Sequence, residues 1–443
     1  MMKDSHGQTC SGATSAALEG YEEALAQFHC YRGNPVAAIE TVIAGQPDFA
    51  MAHALRAHLF LSGTEAAGLA PARESIALAR RHARTEREKL HVVAADALAA
   101  GCFDDAAERF DDILIDHPHD LLALQMGHLL DFYRGQSRNL RDRVLRVLPG
   151  WDARRPGWHA VQGMLAFGLE ESGDYVRAEA AGRQACALEP RDAWAHHAVA
   201  HVMEMQGRVE DGIRWSRERI PHWAEDNMMA VHNWWHLALF HLDRDEHDEV
   251  LALYDQHVRS GQSTVVLDLI DASAMLWRLH LRGIDPGAAR WGELAAAWSG
   301  MVRDGIYSFN DVHALIGFIG AGRQDLIEQQ MATLQRAAGE KRGNNAAMAM
   351  QVGLPLAQAL LSFQAGHYAD TVLRLRPLRY IASRFGGSHA QRDLLDLTLI
   401  EAAKRDGDLG LVQALSAERL HAKPASPIAQ RYRMLAAAGR AAA

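Results

Sequence analysis

The sequence is poor in cysteine. Four cysteines occur in 443 residues, and none of them stands in a CxxC pair. Disulfide frameworks and thiolate zinc sites both need clustered cysteines. The composition therefore argues against a disulfide-stabilised exported domain and against a thiolate metal centre, and it predicts a protein of the reducing cytoplasm.

The chain also lacks the marks of exported, membrane and nucleic-acid-binding proteins. Its N-terminus is polar, without an apolar stretch of signal-peptide length. No uninterrupted apolar run approaches the roughly 18 residues needed to cross a bilayer. Lysine and arginine number 46 against 55 acidic residues, a formal charge of −9 without a basic cluster. We therefore expect neither a membrane nor a nucleic acid as partner.

Apolar, helix-forming residues dominate instead. A hydrophobic content of 49% with only 13 prolines favours an all-α fold. A chain of 443 residues is longer than the roughly 250–300 residues that one compact core supports. The fold must therefore contain several domains or a stacked repeat.

A pattern of two helices joined by a tight turn recurs along the chain. From His159 to Pro190, a turn at Gly173 separates two apolar stretches, and the small residues Ala178 and Ala185 occupy positions where the helices would touch. The proline at the end of the segment stops the second helix because it cannot donate to the helical hydrogen bonds. This arrangement is the tetratricopeptide pattern.

The segment from Glu88 to Pro118 repeats this pattern, with its turn at Gly101. Further candidate turns recur at Gly207, Asp243–Asp245, Gly283, Gly322, Gly366 and Gly407. The sequence therefore predicts an all-α fold, a right-handed α-solenoid of tetratricopeptide-like helix pairs over residues 17–433. We expect a flexible tail over residues 1–16 and a fraying tail over residues 434–443.

Eight longer motifs resemble one family of such proteins. In chain order they are REKLHVVAA, HPHDLLAL, GMLAFGLEESGDY, DAWAHHAVAHVMEMQGR, HNWWHLALFHLD, DLIDASAMLWRL, FNDVHALIGF and GGSHAQRD. Together they resemble the tetratricopeptide repeat protein 38 family over nearly the whole chain. The resemblance implies a cytosolic helical-repeat protein, and it implies no particular biochemical activity.

Two histidine pairs with helical spacing form the most informative cluster. His197, His201 and Glu204 share one helix face because residues four and seven apart are neighbours on a helix. His232 and His236 form a second pair, 35 residues beyond the first (232 − 197), which is close to the roughly 34-residue period of the repeat. The two pairs are therefore predicted to face each other across neighbouring repeats.

Imidazoles one helical turn apart can chelate a single metal ion. The rings of His197, His201, His232 and His236 would supply enough nitrogen for a divalent transition metal such as zinc, iron or manganese, and Glu204 is a candidate ligand-binding residue. Two other interpretations stay open. The cluster could form a metal-free acid–base pocket, or it could fill a helix interface with its rings hydrogen-bonded to one another.

Carboxylates follow at the same period. Asp268 and Asp271 lie 36 and 35 residues beyond the second histidine pair (268 − 232 and 271 − 236), so the same concave groove is predicted to hold both. With His313 in a later repeat, they are the catalytic candidates, able to act as acid and base or to orient imidazoles.

Several of these polar residues also fit helix N-caps. Asp268 or Asp271 could cap its own helix instead of serving a site, and Asn310 or Asp311 is the predicted cap of the helix that carries His313. Capping and catalysis therefore compete as explanations for the same residue types.

The segment GGSHAQRD, residues 386–393, supports two interpretations. Ser388 followed by Gln391 is a capping box, which predicts the start of a helix. A helix N-terminus also attracts anions, and Arg392 adds a planar donor suited to a carboxylate or a phosphate. Arg392 and His389 are therefore predicted to bind a ligand.

Two functions follow from these residues. The first is a small-molecule enzyme, with metal-assisted or acid–base chemistry of the hydrolase type in a concave pocket of histidines and carboxylates. The second is a tetratricopeptide scaffold that binds a peptide or protein in its groove without catalysis. The sequence does not determine the substrate, the metal or the oligomeric state.

Overall fold

The computed structural model describes residues 2–441, and helices make up nearly all of them. Two short strands precede the first helix: β1 (Met2–Lys3) and β2 (Thr9–Cys10) pair antiparallel, with Met2 opposite Cys10. The described chain forms two compact units. Unit 1 consists of Met1–Val199, Ile220–Ala230 and Lys341–Asn344, and unit 2 consists of Ala200–Arg219, Val231–Glu340 and Asn345–Ala443.

The first eleven helices build most of unit 1, and the last of them passes into unit 2 after Val199. They are α1 (Ser15–Cys30), α2 (Pro35–Gly45), α3 (Ala50–Leu61), α4 (Leu69–His82), α5 (Glu86–Ala99), α6 (Phe103–Asp116), α7 (Leu121–Tyr133), α8 (Ser137–Val147), α9 (Trp158–Glu170), α10 (Tyr175–Leu188) and α11 (Ala193–Met205).

The remaining helices belong mainly to unit 2. They are α12 (Val209–Glu218), α13 (Ile220–Trp223, in unit 1), α14 (Ala230–Asp243), α15 (His247–Leu253), α16 (Val266–Leu281), α17 (Ala288–Ser299), α18 (Ser308–Gly320), α19 (Gln324–Ala338), α20 (Asn344–Met348), α21 (Leu354–Gln364), α22 (Tyr368–Leu378), α23 (His389–Asp406), α24 (Leu409–Ala422) and α25 (Pro427–Ala441). Single turns of 3₁₀ helix occur at Ala66–Gly68, Leu148–Gly150 and Ala382–Phe385, and π-helical turns at Tyr254–Val258 and Ala349–Gly353.

The turns inside the helix pairs fall where the sequence predicts them. Their glycines have φ between 64° and 82°, a left-handed conformation that strains any residue with a Cβ: Gly101, Gly173, Gly207, Gly283, Gly322, Gly366 and Gly407. Between α14 and α15, Asp245 adopts the same conformation with φ 59°. The prediction of an all-α fold made of tetratricopeptide-like helix pairs is confirmed.

Helix α16, which carries Asp268 and Asp271, is almost entirely enclosed by protein. Fourteen of its 16 residues are buried, which is the pattern of a helix surrounded by protein. Helix α23 packs on it: Trp277 Nε1 donates to Thr398 Oγ1 at 3.0 Å, and Arg278 Nη2 donates to the Ala390 carbonyl at 2.6 Å. Where an open concave groove was expected along α16, unit 2 is filled by α23.

The segment predicted as a flexible tail over residues 1–16 is packed structure from Met2 onwards. The backbone N–H and the hydroxyl of Ser11 donate to the two carboxylate oxygens of Glu88 at 2.6 and 2.8 Å. Arg87 Nη2 donates to the Thr9 carbonyl at 3.1 Å, and Cys10 is fully buried. Local composition gave no sign of these contacts, because their partners lie about 77 residues away.

Near the other end of the chain, α25 continues through the segment predicted to fray from residue 434, and Ala436 within it is fully buried. One continuous helical run, Asn344–Gln364, has the length and the apolar composition to cross a membrane. Half of its most apolar window is buried inside the protein, and core helices of the same length meet these two criteria as well.

Polar residues 310 and 311 lie inside α18 and do not cap it. The helix begins at Ser308, after Tyr307, so the prediction that Asn310 or Asp311 is its N-cap is wrong. Asp311 Oδ1 accepts a hydrogen bond from Gln330 Nε2 at 3.0 Å, whereas its Oδ2 is buried without a partner among the described residues. Burial raises the pKa of Asp311 to about 7.

We expect Asp311→Asn to flatten part of the pH dependence of stability. The folded-state pKa lies above the ordinary value of 3.8, so this group favours folding most at low pH and loses that contribution as the pH rises to about 7. Asparagine still accepts from Gln330 and does not ionise. Urea unfolding at about pH 4.5 and about pH 8 measures the change. Glu328→Gln, an exposed acid on α19, is the control, and an unaltered pH profile in Asp311→Asn would contradict the expectation.

Candidate metal and ligand site

Three imidazoles converge inside unit 2. His201 comes from α11, and His232 and His236 come from successive turns of α14. The ring centroids of His201 and His236 are 4.5 Å apart, and those of His232 and His236 are 4.9 Å apart. One nitrogen of each ring lies within 4.8 Å of one nitrogen of the others. The predicted convergence is confirmed for these three residues.

Aromatic packing fixes the orientation of two of these rings. Trp235, which lies between the two histidines in the sequence, is fully buried. Its ring stacks on His232 with a centroid distance of 5.3 Å and packs edge-on against His236 with a centroid distance of 4.9 Å. A buried indole of this size leaves little rotational freedom to the imidazoles that it contacts. The cluster is therefore held in one arrangement.

Carboxylates hold the Nδ1 atom of each α14 histidine. His232 Nδ1 donates to Asp271 Oδ2 at 2.8 Å, and His236 Nδ1 donates to Glu204 Oε2 at 3.1 Å. A carboxylate on Nδ1 fixes the tautomer that leaves Nε2 with its lone pair, which is the usual support of a metal-binding imidazole. Burial and the neighbouring imidazoles of His201 and His232 also lower the pKa of His236 well below its usual range, so this ring is neutral.

His197, the fourth predicted metal ligand, lies one turn before His201 on α11, in the part of that helix that belongs to unit 1. It is 2% exposed and packs against the rings of Phe167 and Trp194, with centroid distances of 5.3 and 5.0 Å. Its role as a ligand stays a prediction.

The three catalytic candidates are buried in unit 2, with exposed fractions of 6% for Asp268, 0% for Asp271 and 3% for His313. Neither aspartate caps α16, because the helix begins at Val266. Burial raises the pKa of Asp271, an effect that its bond to His232 offsets in part. The second oxygen of Asp271, Oδ1, is buried without a partner among the described residues.

The other two candidates stand apart from the imidazoles. Asp268 is hydrogen-bonded to Ser263, and burial raises its pKa to about 6. His313 Nδ1 donates to the Phe309 carbonyl at 2.8 Å, and burial lowers its pKa to about 4. Of the three, only Asp271 contacts the cluster directly.

The predicted ligand-binding residues line a cavity. Helix α23 begins at His389, after the predicted capping box of Ser388 and Gln391, in which both hydrogen bonds form. His389 and Arg392 border a cavity of about 470 Å³. Arg392 Nη1 donates to the Gly387 carbonyl, so the same arginine also stabilises the turn that precedes its helix.

Glu204 lies beside the histidine cluster, and its role as a ligand-binding residue stays a prediction. It accepts from His236 Nδ1 through one oxygen, and its other oxygen lies 3.4 Å from Lys423 Nζ. Lys423 also borders the cavity of His389 and Arg392. Glu204 therefore connects the histidine cluster to the cavity wall, and its oxygens hold protein groups.

The sequence interpretation missed Arg278. This arginine is 3% exposed and lies on α16, seven residues and thus two helical turns after Asp271. Its guanidinium donates to the Ala274 and Ala390 carbonyls and lies 5.3 Å from the Trp235 ring. A single arginine within an otherwise apolar stretch, in register with an aspartate, was the signal that could have revealed it.

No family model matches this chain. Among solved structures, the human IFIT1 dimer with m7Gppp-AAAA is 13% identical, covers 96% of this chain and 95% of its own, and has a TM-score of 0.45. Yeast Tom70 is 11% identical, with 96% of each chain covered and a TM-score of 0.33. A tetratricopeptide repeat protein from Parabacteroides merdae is 12% identical over 71% of this chain and 98% of its own, with a TM-score of 0.32.

These structures are helical-repeat proteins of the tetratricopeptide type. At such identities and TM-scores they carry no argument about what this chain binds. The helix pairs of the structure itself define the class of this protein, an all-α helical repeat. Its finer resemblance to the tetratricopeptide repeat protein 38 family stays a prediction, as does the expectation that nucleic acid is not a partner.

Proposed function

We propose that unit 2 binds a divalent transition metal through His201, His232 and His236 and acts on a small molecule by metal-assisted hydrolysis, in the cytoplasm. The observation that carries this proposal is the pair of carboxylate anchors on Nδ1 of His232 and His236. The proximity of the rings supports the same proposal, because one nitrogen of each lies within 4.8 Å of one nitrogen of the others.

The donor set fits zinc, iron or manganese. Imidazoles are common ligands of these ions, and three protein ligands leave a coordination position for substrate or water, as catalytic sites require. A bound ion would supply Lewis-acid polarisation of a carbonyl or phosphoryl group. Asp268, whose pKa of about 6 lies close to neutrality, is the proposed proton carrier. Asp271 and Glu204 position the imidazoles.

The alternative is a scaffold that binds a peptide or a protein without catalysis. The helical-repeat fold itself favours this alternative, because stacked helix pairs commonly serve as binding surfaces. In unit 2, the packing of α23 on α16 restricts the possibilities: an extended peptide cannot lie along α16 while Trp277 bonds to Thr398. A partner would have to use another face.

We expect elemental analysis of untagged protein to find about one equivalent of transition metal per chain. His201→Ala and His236→Ala should lose at least about tenfold in metal affinity, because each removes a nitrogen ligand. His241→Ala is the matched control: His241 is buried on the same helix α14 and bonds to Glu246 outside the cluster.

Two results together would contradict this proposal: the wild-type protein binds no transition metal, and His201→Ala loses much of its stability. They would identify the cluster as a hydrogen-bonded helix interface. Metal content that is the same in His201→Ala, His236→Ala and the wild-type protein would also contradict this proposal, because the metal would then bind elsewhere.

We further expect Asp271→Asn and Glu204→Gln to weaken metal binding by about 10- to 100-fold, because a neutral amide supports the imidazole tautomer less well than a carboxylate does. Competition against a chromophoric chelator measures this affinity. Asp268→Asn, on the same helix but bonded to Ser263, should leave the metal affinity unchanged. If all three variants bind the metal with the affinity of the wild-type protein, the carboxylates of Asp271 and Glu204 do not influence metal binding.

A further inference from the structure

Arg278 is a buried cation whose hydrogen bonds go to carbonyl groups alone. Its side chain is 3% exposed, Nη1 donates to the Ala274 carbonyl at 3.2 Å, and Nη2 donates to the Ala390 carbonyl at 2.6 Å. No carboxylate of the described residues lies within ion-pair distance of it. An arginine offers five N–H donors, so three of them remain after these two bonds.

The neighbouring cations differ from Arg278 in this respect. Arg419 forms a two-pronged ion pair with Asp393, and Lys423 lies 3.4 Å from Glu204. Proteins seldom retain a buried charge without a partner, because removal from water is costly unless an opposite charge offsets it. The carboxylates of Asp393, Glu204 and Asp271 act on the Arg278 charge from a distance, but among the described residues none of them forms an ion pair with it.

The charge of Arg278 acts on the candidate site. It lowers the pKa of both His236 and His313, and it lowers that of Asp271 against the effect of burial. The guanidinium also lies 5.3 Å from the ring of Trp235, the indole that contacts His232 and His236. The guanidinium thus belongs to the same polar interior as the three imidazoles.

A cavity lies at the start of α23, the helix whose carbonyl accepts from Arg278, although Arg278 itself does not line it. The Ala390 carbonyl that accepts from Arg278 belongs to the first turn of α23, and that turn also contributes His389 and Arg392 to the cavity of about 470 Å³. Three arginines and one lysine border this cavity together with three carboxylates, and Arg379 and Arg419 form ion pairs with those carboxylates.

We propose that Arg278 binds the oxyanion of a small ligand, a carboxylate or a phosphate, beside the histidine cluster, and that the cavity at the start of α23 is the access route. This inference rests on the proposed function, which places a metal on the neighbouring imidazoles, and it names the class of substrate that the metal site would act on. The planar guanidinium matches the two oxygens of such a group. With a divalent ion on the imidazoles, the added positive charge would strengthen the preference for an anion.

The test uses the full-length protein, with and without added zinc, and titrates it calorimetrically with inorganic phosphate and with succinate in separate experiments. We expect at least one of the two probes to bind. Arg278→Met should weaken that binding by at least about tenfold, and Arg278→Lys should weaken it less, because lysine keeps the charge and loses the fork. Binding of phosphate alone indicates a phosphate ester ligand, and binding of succinate alone indicates a carboxylate ligand.

Thermal stability in the absence of probe supplies an independent reading. If Arg278 lacks an anionic partner in the protein, Arg278→Met removes a poorly compensated buried charge and should melt at an equal or higher temperature. Arg282→Met is the matched control, because Arg282 is the C-cap of α16, one turn after Arg278, and pairs with Asp245 at 3.0 Å. It should lower the melting temperature and leave anion binding unchanged.

Two results would overturn the inference. One is the absence of binding by either probe to the wild-type protein. The other is a destabilised Arg278→Met with unchanged anion affinity, which would make Arg278 a structural clamp between α16 and α23. Should Arg278→Met not fold, Arg278→Lys and the wild-type titrations still decide. Metal content measured on the same samples separates the two proposals: metal without anion binding contradicts this inference alone, and anion binding without metal contradicts the proposed function alone.

Discussion

The carboxylate of Glu204 is the constraint on which the interior of unit 2 depends. One oxygen receives the Nδ1 proton of His236 and the other faces Lys423, so a single side chain joins α11, α14 and the connection before α25. Three polar groups can be buried there because each satisfies another, and an unpaired carboxylate at this depth would be too costly to keep. The close approach of His201 to His236 follows from this link between α11 and α14.

In unit 1, buried aspartates are likewise paired with polar groups, and the same arrangement occurs in two successive places. Asp120 and Asp192 each cap the first helix of a pair by accepting from a backbone N–H, that of Ala123 or Ala195 at 2.9 Å. Each aspartate also binds a cationic or imidazole side chain 33 residues earlier: Arg87 in the first case, His159 in the second. The cap of one helix pair is thereby the ion or hydrogen-bond partner of the pair before it, which couples neighbouring repeats in register.

Much of this organisation could be predicted from local sequence patterns. The glycine turns follow from a conformational requirement that few other residues meet, and the capping box of α23 and the convergence of His232 and His236 follow from helical periodicity. The packing of α23 on α16 could not be predicted in this way. Arg278 and Ala390 are 112 residues apart, and repeat periodicity describes contacts between neighbouring pairs only.

The wrong predictions of helix N-caps have a related cause. Asp268, Asp271 and Asp311 were candidates for helix caps because cap preference is a property of residue type alone. In the structure all three lie inside helices, and burial dominates their electrostatics. Sequence spacing located the polar residues of the site, and only the packing of non-neighbouring helices determined which of them meet.

Trp235 has a consequence for how the site can be observed. Its indole stacks on the His232 ring and packs edge-on against the His236 ring. The central carbon of the Arg278 guanidinium lies 5.3 Å from the centre of the indole. A fluorophore in contact with all these groups senses charge and proton changes at each of them, so the chain carries its own optical reporter of the interior. Ten tryptophans share the emission, but the difference between the wild-type spectrum and that of Trp235→Phe isolates the one that lies among the histidines.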